Sequence, residues 1–252
     1  MTGLLSSVWW RLQARFGRHG RLARRFIRRH GLVVSGGPFA GLRYTRRTAV
    51  GRIVAKLVGS YEEELHDALV DMIESKPRTV VDIGSAEGYY AVGIARRLPE
   101  ARVHAFETEA SRRDGCKELA LENGVADRVV LYGTCSAEDL ARLPEPGDFV
   151  ICDCEGFETE VLQVDKVPWL KTARLLVEIH DAFVPGTTET LSARFAPTHD
   201  LQFIPEAPRE AARYPALDGL RAWEMDEALD EYRRDRQGRS LRMQWAMMTP
   251  RA

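Results

Sequence analysis

Residues Val80–Ala95 read VVDIGSAEGYYAVGIA. A short apolar run, Val80–Ile83, enters a turn holding Gly84 and Gly88, and a helix-like stretch opens at Tyr89. Strand, glycine turn and helix start together are how α/β proteins cradle a nucleotide. The glycines let backbone approach a ligand closely, and the helix start offers free N–H groups and a positive dipole end. Yet the spacing Gly84-Ser-Ala-Glu-Gly88 departs from the Gly-x-Gly-x-x-Gly of dinucleotide sites. Two carboxylates, Asp82 and Glu87, also fall beside the place a pyrophosphate would take. At ~5 Å and an effective dielectric of about 20, each would repel a phosphate charge by roughly 3 kcal/mol.

A ligand with a cationic centre turns that repulsion into attraction, so the turn predicts a positively charged nucleoside without phosphate. S-adenosylmethionine fits, its sulfonium and ammonium facing carboxylates and its own carboxylate meeting N–H groups at the helix start. Glu107 ends the second strand roughly twenty residues beyond the turn, where a carboxylate accepts hydrogen bonds from both ribose hydroxyls.

Outward from the turn, apolar strands and helices alternate. Strands are predicted at Thr79–Ile83, Arg102–Glu107, Arg128–Tyr132, Asp148–Asp153 and Arg174–His180. Helices are predicted near Tyr61–Glu74, Tyr89–Leu98, Ala110–Asn123, Ala137–Leu143, Glu158–Gln163 and Thr187–Phe195. This is the pattern of a doubly wound parallel sheet in an α/β fold. Two further strands are predicted at Leu201–Ile204 and Met243–Met248, around a polar insert at 205–240 with a charged helix near Trp223–Asp235. Ahead of all this, Leu4–His30 reads as two short amphipathic helices separated by Gly17 and Gly20, and Gly31–Thr48 as a hairpin. The predicted division is 1–58, a basic arm and hairpin, and 59–252, a catalytic domain.

The chain has 252 residues and a net charge of −1, but the charge is unevenly spread. Residues 1–61 hold twelve Arg, one Lys and no acid; the remainder sets the other 23 basic residues against 37 acids. The arm is therefore expected to dock on the acidic body of its own chain or of a second copy in a homo-oligomer. An anionic membrane surface, reached peripherally, is the next candidate. Nucleic acid is disfavoured as a partner, because no recognition motif accompanies the charge and the body would repel phosphates. No apolar run approaches the ~18–20 residues of a membrane span, and Arg11 and Arg15 interrupt the N-terminal apolar stretch where a signal peptide would need continuity. Cys116, Cys135, Cys152 and Cys154 form no Cys-x-x-Cys pair and no zinc spacing, so a reduced, cytoplasmic protein is expected.

VVDIGSAEGYY resembles the first motif of class I methyltransferases. DCEGFETEVL at Asp153–Leu162 and LLVEIHD at Leu175–Asp181 resemble the FkbM-type methyltransferase family. The resemblance spans roughly residues 59–205. It implies a Rossmann-like seven-stranded sheet whose last strand runs antiparallel and inserts beside Arg174–His180. It also implies O-methylation from S-adenosylmethionine, often of small metabolites or sugars. Carried over by position, Asp82, Gly84 and Gly88 would line the methionine end of the cofactor and Glu107 the ribose, with Ser85, Thr108 and Asp153 also expected to contact the cofactor. Thr134, Cys135 and Ser136 would lie near the adenine, and Tyr61 and Glu62 would close over the cofactor.

Ligands of such sheets bind outside the carboxyl ends of the strands. There Asp153 and Glu155 follow one strand, while Glu178, His180 and Asp181 end its neighbour, with Glu178 and His180 on one face by period-two alternation. So many acids on one rim repel unless a cation or an amine offsets them. His180 is the candidate general base for a hydroxyl nucleophile, with Asp153 or Glu155 as alternatives for that task or for orienting substrate. Asp153 with Glu178 or Asp181 offers ligands for a divalent cation. The hairpin, the helix at Tyr61 and the 205–240 insert are expected to build the acceptor pocket. Two other functions compete: an NAD(P)-dependent oxidoreductase, against which the acids in the turn count, and a methyltransferase-like binding protein without catalysis, against which the acidic rim counts.

Overall fold

The run Thr79–Ile83 is β1, buried along its whole length between two other strands of a seven-stranded sheet. The structure is a computed structural model and describes residues 18–49, 52–206, 208–229 and 244–251. The other strands are β2 (Arg102–Phe106), β3 (Val129–Tyr132), β4 (Phe149–Cys152), β5 (Arg174–Ile179), β6 (His199–Pro205) and β7 (Gln244–Pro250). Their order is β3-β2-β1-β4-β5-β7-β6. The first five pair in parallel and β7 runs antiparallel between β5 and β6, with Val177 opposite Ala246. Strands buried on both faces need no polar alternation, so β1, β4 and β5 read as near-continuous apolar runs.

The described helices are α1 (Arg18–His30), α2 (Ile53–Val58), α3 (His66–Ser75), α4 (Tyr89–Arg97), α5 (Ala110–Glu122), α6 (Ala137–Ala141), α7 (Glu158–Val161), α8 (Thr187–Phe195) and α9 (Ala222–Leu229). Two apolar layers cover the sheet. Val80, Phe149, Ile151 and Leu176 point into one, shared with α1 to α5 and α9; Val81, Val150, Leu175 and Val177 point into the other, shared with α6 and α8. The period-two alternation of each strand makes this division. It also puts Asp82, Asp153, Glu178 and His180 on the face of the first layer.

The N-terminal segment differs from its sequence reading. One helix runs through Gly20 from Arg18 to His30, while the stretch expected as the first amphipathic helix falls outside the described residues. Leu22 and Phe26 of α1, with Phe39, Leu42 and Tyr44 beyond it, belong to the same core layer as the sheet, and Arg25 pairs with Glu224 at 3.1 Å. From Arg18 onward, the basic segment docks on its own chain. The expected hairpin is only a short antiparallel contact, with Tyr44 N–H donating to Leu32 O at 2.7 Å and Val34 N–H to Leu42 O at 2.9 Å. Asn123 clasps it, its side chain bonding both the N–H and the carbonyl of Arg43. Helix α2, which the sequence reading folded into the arm, is buried at every position and ends at left-handed Gly59. Of the charged helix expected at Trp223–Asp235, the described part is α9, whose Ala228 carbonyl accepts from Ser60 Oγ at 2.8 Å.

Gly84 sets how closely the turn after β1 approaches the end of β4. At φ +89°, its added Cβ would lie 1.7 Å from the carbonyl oxygen of Asp153. Gly124 has φ +66° but open space around it. Gly84→Ala is expected to destabilise the fold by about 3 kcal/mol or more, and Gly124→Ala by only about 1 kcal/mol, because just the first adds a backbone collision to the left-handed strain. Urea unfolding midpoints of the two variants would check the difference.

Candidate active site

The turn after β1 and the ends of β2, β3 and β4 surround a cavity of about 970 Å³. Its floor is Gly84, Ala86 and Glu87, its sides carry Glu107 and Thr108 after β2, Thr134 and Cys135 after β3, and Asp153 to Glu155 after β4. Arg47, Thr48, Arg52, Lys56 and Tyr61 complete the wall from the N-terminal segment. The described part of the 205–240 insert contributes nothing to it. Arg209 and Arg213 of that insert instead pair with Glu64 at 2.8 Å and Glu63 at 2.7 Å.

Glu107 is anchored in the wall by two backbone N–H groups. Its Oε2 accepts from the Ala86 N–H at 3.0 Å and its Oε1 from the Glu109 N–H at 2.7 Å, so both oxygens are fixed while the carboxylate still borders the cavity. The rest of the turn is spoken for. The N–H groups of Gly84 and Ser85 both donate to Phe106 O at 2.9 Å, and Gly88 N–H donates to Ser85 O at 2.8 Å. The N–H groups of the turn itself are therefore engaged by the chain, at Gly84, Ser85, Ala86 and Gly88. Ala86 holds φ +47°, a conformation residues with a Cβ rarely adopt, and aims its N–H at Glu107.

The two acids read from the turn have different surroundings from those expected. Glu87 borders the cavity but is paired with Lys56 Nζ in a close, buried contact, and it accepts from Tyr44 O–H at 3.4 Å. Lys56 Nζ also lies 4.8 Å from the Tyr61 ring centroid and 5.4 Å from that of Tyr89. Asp82 is not on the cavity wall. It is buried beneath α4, where burial pushes its carboxyl up to about 8 despite a hydrogen bond from the Ala91 N–H, and its Oδ2 has no partner among the described residues. One carboxylate is thus matched by a cation and the other is largely protonated at neutral pH. The turn is less anionic than its sequence suggests.

Negative charge collects instead at the ends of β4 and β5. His180 is fully buried, with Nδ1–H donating to Glu158 Oε1 at 2.7 Å. Its Nε2 faces Glu178 Oε2 at 3.4 Å and Asp153 Oδ1 and Glu155 Oε2 at 3.6 Å each. Burial alone would lower the imidazole, but the bond to Glu158 and the charges of Glu158, Asp153 and Glu155 outweigh it and hold His180 above its ordinary range. Burial would raise Glu158; the bonds from His180 and the Gly156 N–H overcome this and hold it below the usual carboxylate range. Asp153 and Glu155 open onto the cavity, whereas His180 sits behind them and Glu178 is buried. Glu155 is another non-glycine residue in the left-handed region, at φ +55°.

Of the remaining expected residues, Tyr61, Thr108 and Cys135 line the cavity; Glu62, Ser85, Gly88 and Ser136 do not. Glu62 is buried and accepts from Tyr90 O–H. Ser136 caps α6 through Asp139, and Gly88 is the left-handed residue from which α4 starts. Asp181 turns away from the acidic cluster to accept the Thr188 N–H at 3.1 Å. Sequence reading missed Lys56 and Glu158. A lone Lys in the apolar run IVAKLV is a signal for a paired buried cation, and Glu158 closes the acidic stretch that begins at Asp153.

No protein-family model matches the chain. A stretch of 101 residues is 33% identical to the phenazine O-methyltransferase PhzM of Lysobacter antibioticus, covering 40% of this chain and 28% of that protein. Another comparison, over 140 residues, gives 30% identity to Rv1703c of Mycobacterium tuberculosis, named a probable O-methyltransferase, and covers 51% of this chain and 59% of that one. The chain thus spans between about a quarter and three fifths of the length of these curated relatives. A crystal structure of a candidate O-methyltransferase from Klebsiella pneumoniae superposes with a TM-score of 0.50 at 14% identity, over 92% of this chain and 90% of that one. Sheet order, reversed β7 and this likeness together define a class I methyltransferase fold.

Two measurements test the electrostatics. Lys56→Met leaves Glu87 buried without its cation and is expected to cost about 3–5 kcal/mol of stability, much of it restored by adding Glu87→Gln. Asp82 is raised in the folded state, so its unfolded form releases a proton first as pH rises from about 4 to 8, and stability falls across that window by at most about 1.4 kcal/mol per pH unit. Unfolding curves at pH 5 and pH 8 should show a smaller loss in Asp82→Asn than in the natural protein.

Proposed function

We propose that the protein is an S-adenosylmethionine-dependent O-methyltransferase. The observation that carries this reading is Glu107, fixed by two backbone N–H groups at the wall of a large cavity in a class I methyltransferase fold. An anchored carboxylate at the end of β2 suits a ribose diol, and the sequence likeness to O-methyltransferases supports the same chemistry. The cofactor supplies an electrophilic methyl group on a sulfonium. Glu107 would hold its ribose, Thr134 and Cys135 would border its adenine, and Tyr61 would cover it from the N-terminal side.

The acceptor is a small molecule with a hydroxyl group, delivered to Asp153 and Glu155. These are the members of the acidic cluster that open onto the cavity, and a carboxylate there accepts the hydroxyl hydrogen while the oxygen lines up with the methyl group. His180, held by Glu158, positions Asp153 from behind. Phe157 lines the cavity beside this cluster and is 64% exposed, while Phe183, 51% exposed, stacks on His180, so the acceptor also meets apolar surface. That favours a planar or partly apolar acceptor over a sugar. Placement within the FkbM-type family rests on the resemblance of Asp153–Leu162 and Leu175–Asp181.

Calorimetric titration with S-adenosylmethionine is expected to show binding, while NADH gives none. Glu107→Ala should weaken the cofactor by about 10- to 100-fold, the loss of hydrogen bonds worth roughly 1.4–2.8 kcal/mol. Asp153→Asn should keep cofactor affinity and lose methyl transfer, followed by mass spectrometry of hydroxylated aromatic acceptors with methyl-labelled cofactor. NADH binding in place of S-adenosylmethionine would overturn the reading.

A further inference from the structure

We infer that Cys152 and Cys154 form a reversible oxidation site, closing to a disulfide when a small hydroperoxide enters the cavity. Their sulfurs lie 3.6 Å apart on either side of Asp153 in the chain, and both are free thiols. A disulfide holds its sulfurs at about 2.05 Å, so they have about 1.5 Å to close. Cys152 is the last residue of β4 and packs in the second apolar layer, fixed by the sheet. Cys154 lies in the loop before α7, belongs to no helix or strand, and borders the cavity. Rotation about its Cα–Cβ bond is the movement that brings the sulfurs together. Asp153, between the two, also borders the cavity, so the oxidation reaches the cavity wall.

The surroundings of the two thiols set their roles. Cys154 S–H donates to Glu158 Oε1 at 3.7 Å, which leaves Cys152 S–H to donate to Cys154 Sγ. Cys152 is fully buried, and the bond to Cys154 together with burial holds its thiol above the ordinary range. Cys154, the thiol that peroxide can reach, therefore reacts first. Its sulfur attacks a peroxide oxygen: an S–O bond forms, the O–O bond breaks, and the thiol proton leaves with the departing oxygen as water. The Cys152 sulfur then attacks the Cys154 sulfur: the S–S bond forms, the S–O bond breaks, and a second water carries away the Cys152 proton. Two thiols lose two electrons and two hydrogens, and one peroxide becomes two waters. A ring closed over a single intervening residue is strained, which makes the disulfide easy to reduce. Cys135 borders the same cavity, but its S–H donates to Ser136 O at 3.8 Å and burial pushes its thiol up.

This site stands independently of methyl transfer, and its test counts thiols. The full chain would be reduced with dithiothreitol, desalted, exposed to hydrogen peroxide, alkylated with iodoacetamide in denaturant and digested with trypsin. Cleavage after Arg142 and Lys166 leaves Cys152 and Cys154 on one peptide, 143–166, while Cys135 falls on peptide 129–142. Peptide 143–166 is expected unalkylated and two hydrogens lighter than its dithiol form, with Cys116 and Cys135 still alkylated. Renewed dithiothreitol should restore its alkylation. Cys152→Ser should halt the reaction at a Cys154 sulfenic acid, captured by dimedone, and Cys154→Ser should slow oxidation of Cys152 roughly tenfold. Full alkylation of peptide 143–166 at a large excess of peroxide, a disulfide to peptide 129–142 instead, or an unchanged rate at Cys152 in Cys154→Ser would overturn the site.

Discussion

Where Gly84 passes the end of β4, the two backbones approach so closely that a Cβ would lie 1.7 Å from the Asp153 carbonyl oxygen. That approach brings the turn after β1 and the acid-rich loop after β4 to one cavity. On its other side the turn is tied to β2, because Phe106 O receives two of its N–H groups and Glu107 a third. Three strand ends are thereby tied together by the chain's own backbone groups, and the left-handed conformation of Ala86 is held by the bond from its N–H to Glu107.

Charge is arranged in two different ways around this frame. Near the turn, Lys56 comes from a helix thirty-one residues earlier to meet Glu87, with the rings of Tyr61 and Tyr89 close to its ammonium. Near the strand ends, one imidazole serves four carboxylates. The first arrangement is balanced and joins the N-terminal segment to the core. The second lies beside the open cavity, where Asp153 and Glu155 border it.

The N-terminal segment is accordingly part of the site. Phe39 and Tyr44 pack into the layer beneath α4, and Arg47, Thr48, Arg52, Lys56 and Tyr61 form one wall of the cavity. The described part of the insert serves this segment at one remove, through Ser60 with Ala228 and Glu64 with Arg209.

Local pattern was enough for most of the scaffold. Apolar runs of strand length separated by amphipathic stretches set out the first five strands, and the reversed β7 followed from the family resemblance. Glu107 and the cluster of Asp153, Glu155, Glu178 and His180 were also legible, because strand-end positions on one sheet face follow from spacing alone. Burial and pairing across distant segments were not. Nothing near Asp82 announces that α4 will cover it, and nothing near Glu87 shows Lys56 reaching it. The charge of a carboxylate depends on its solvent exposure and its partners, and folding decides both. The sequence by itself determined which strand ends carry acids; only the tertiary structure decided which of those acids remain charged, which are matched by a cation and which face the cavity.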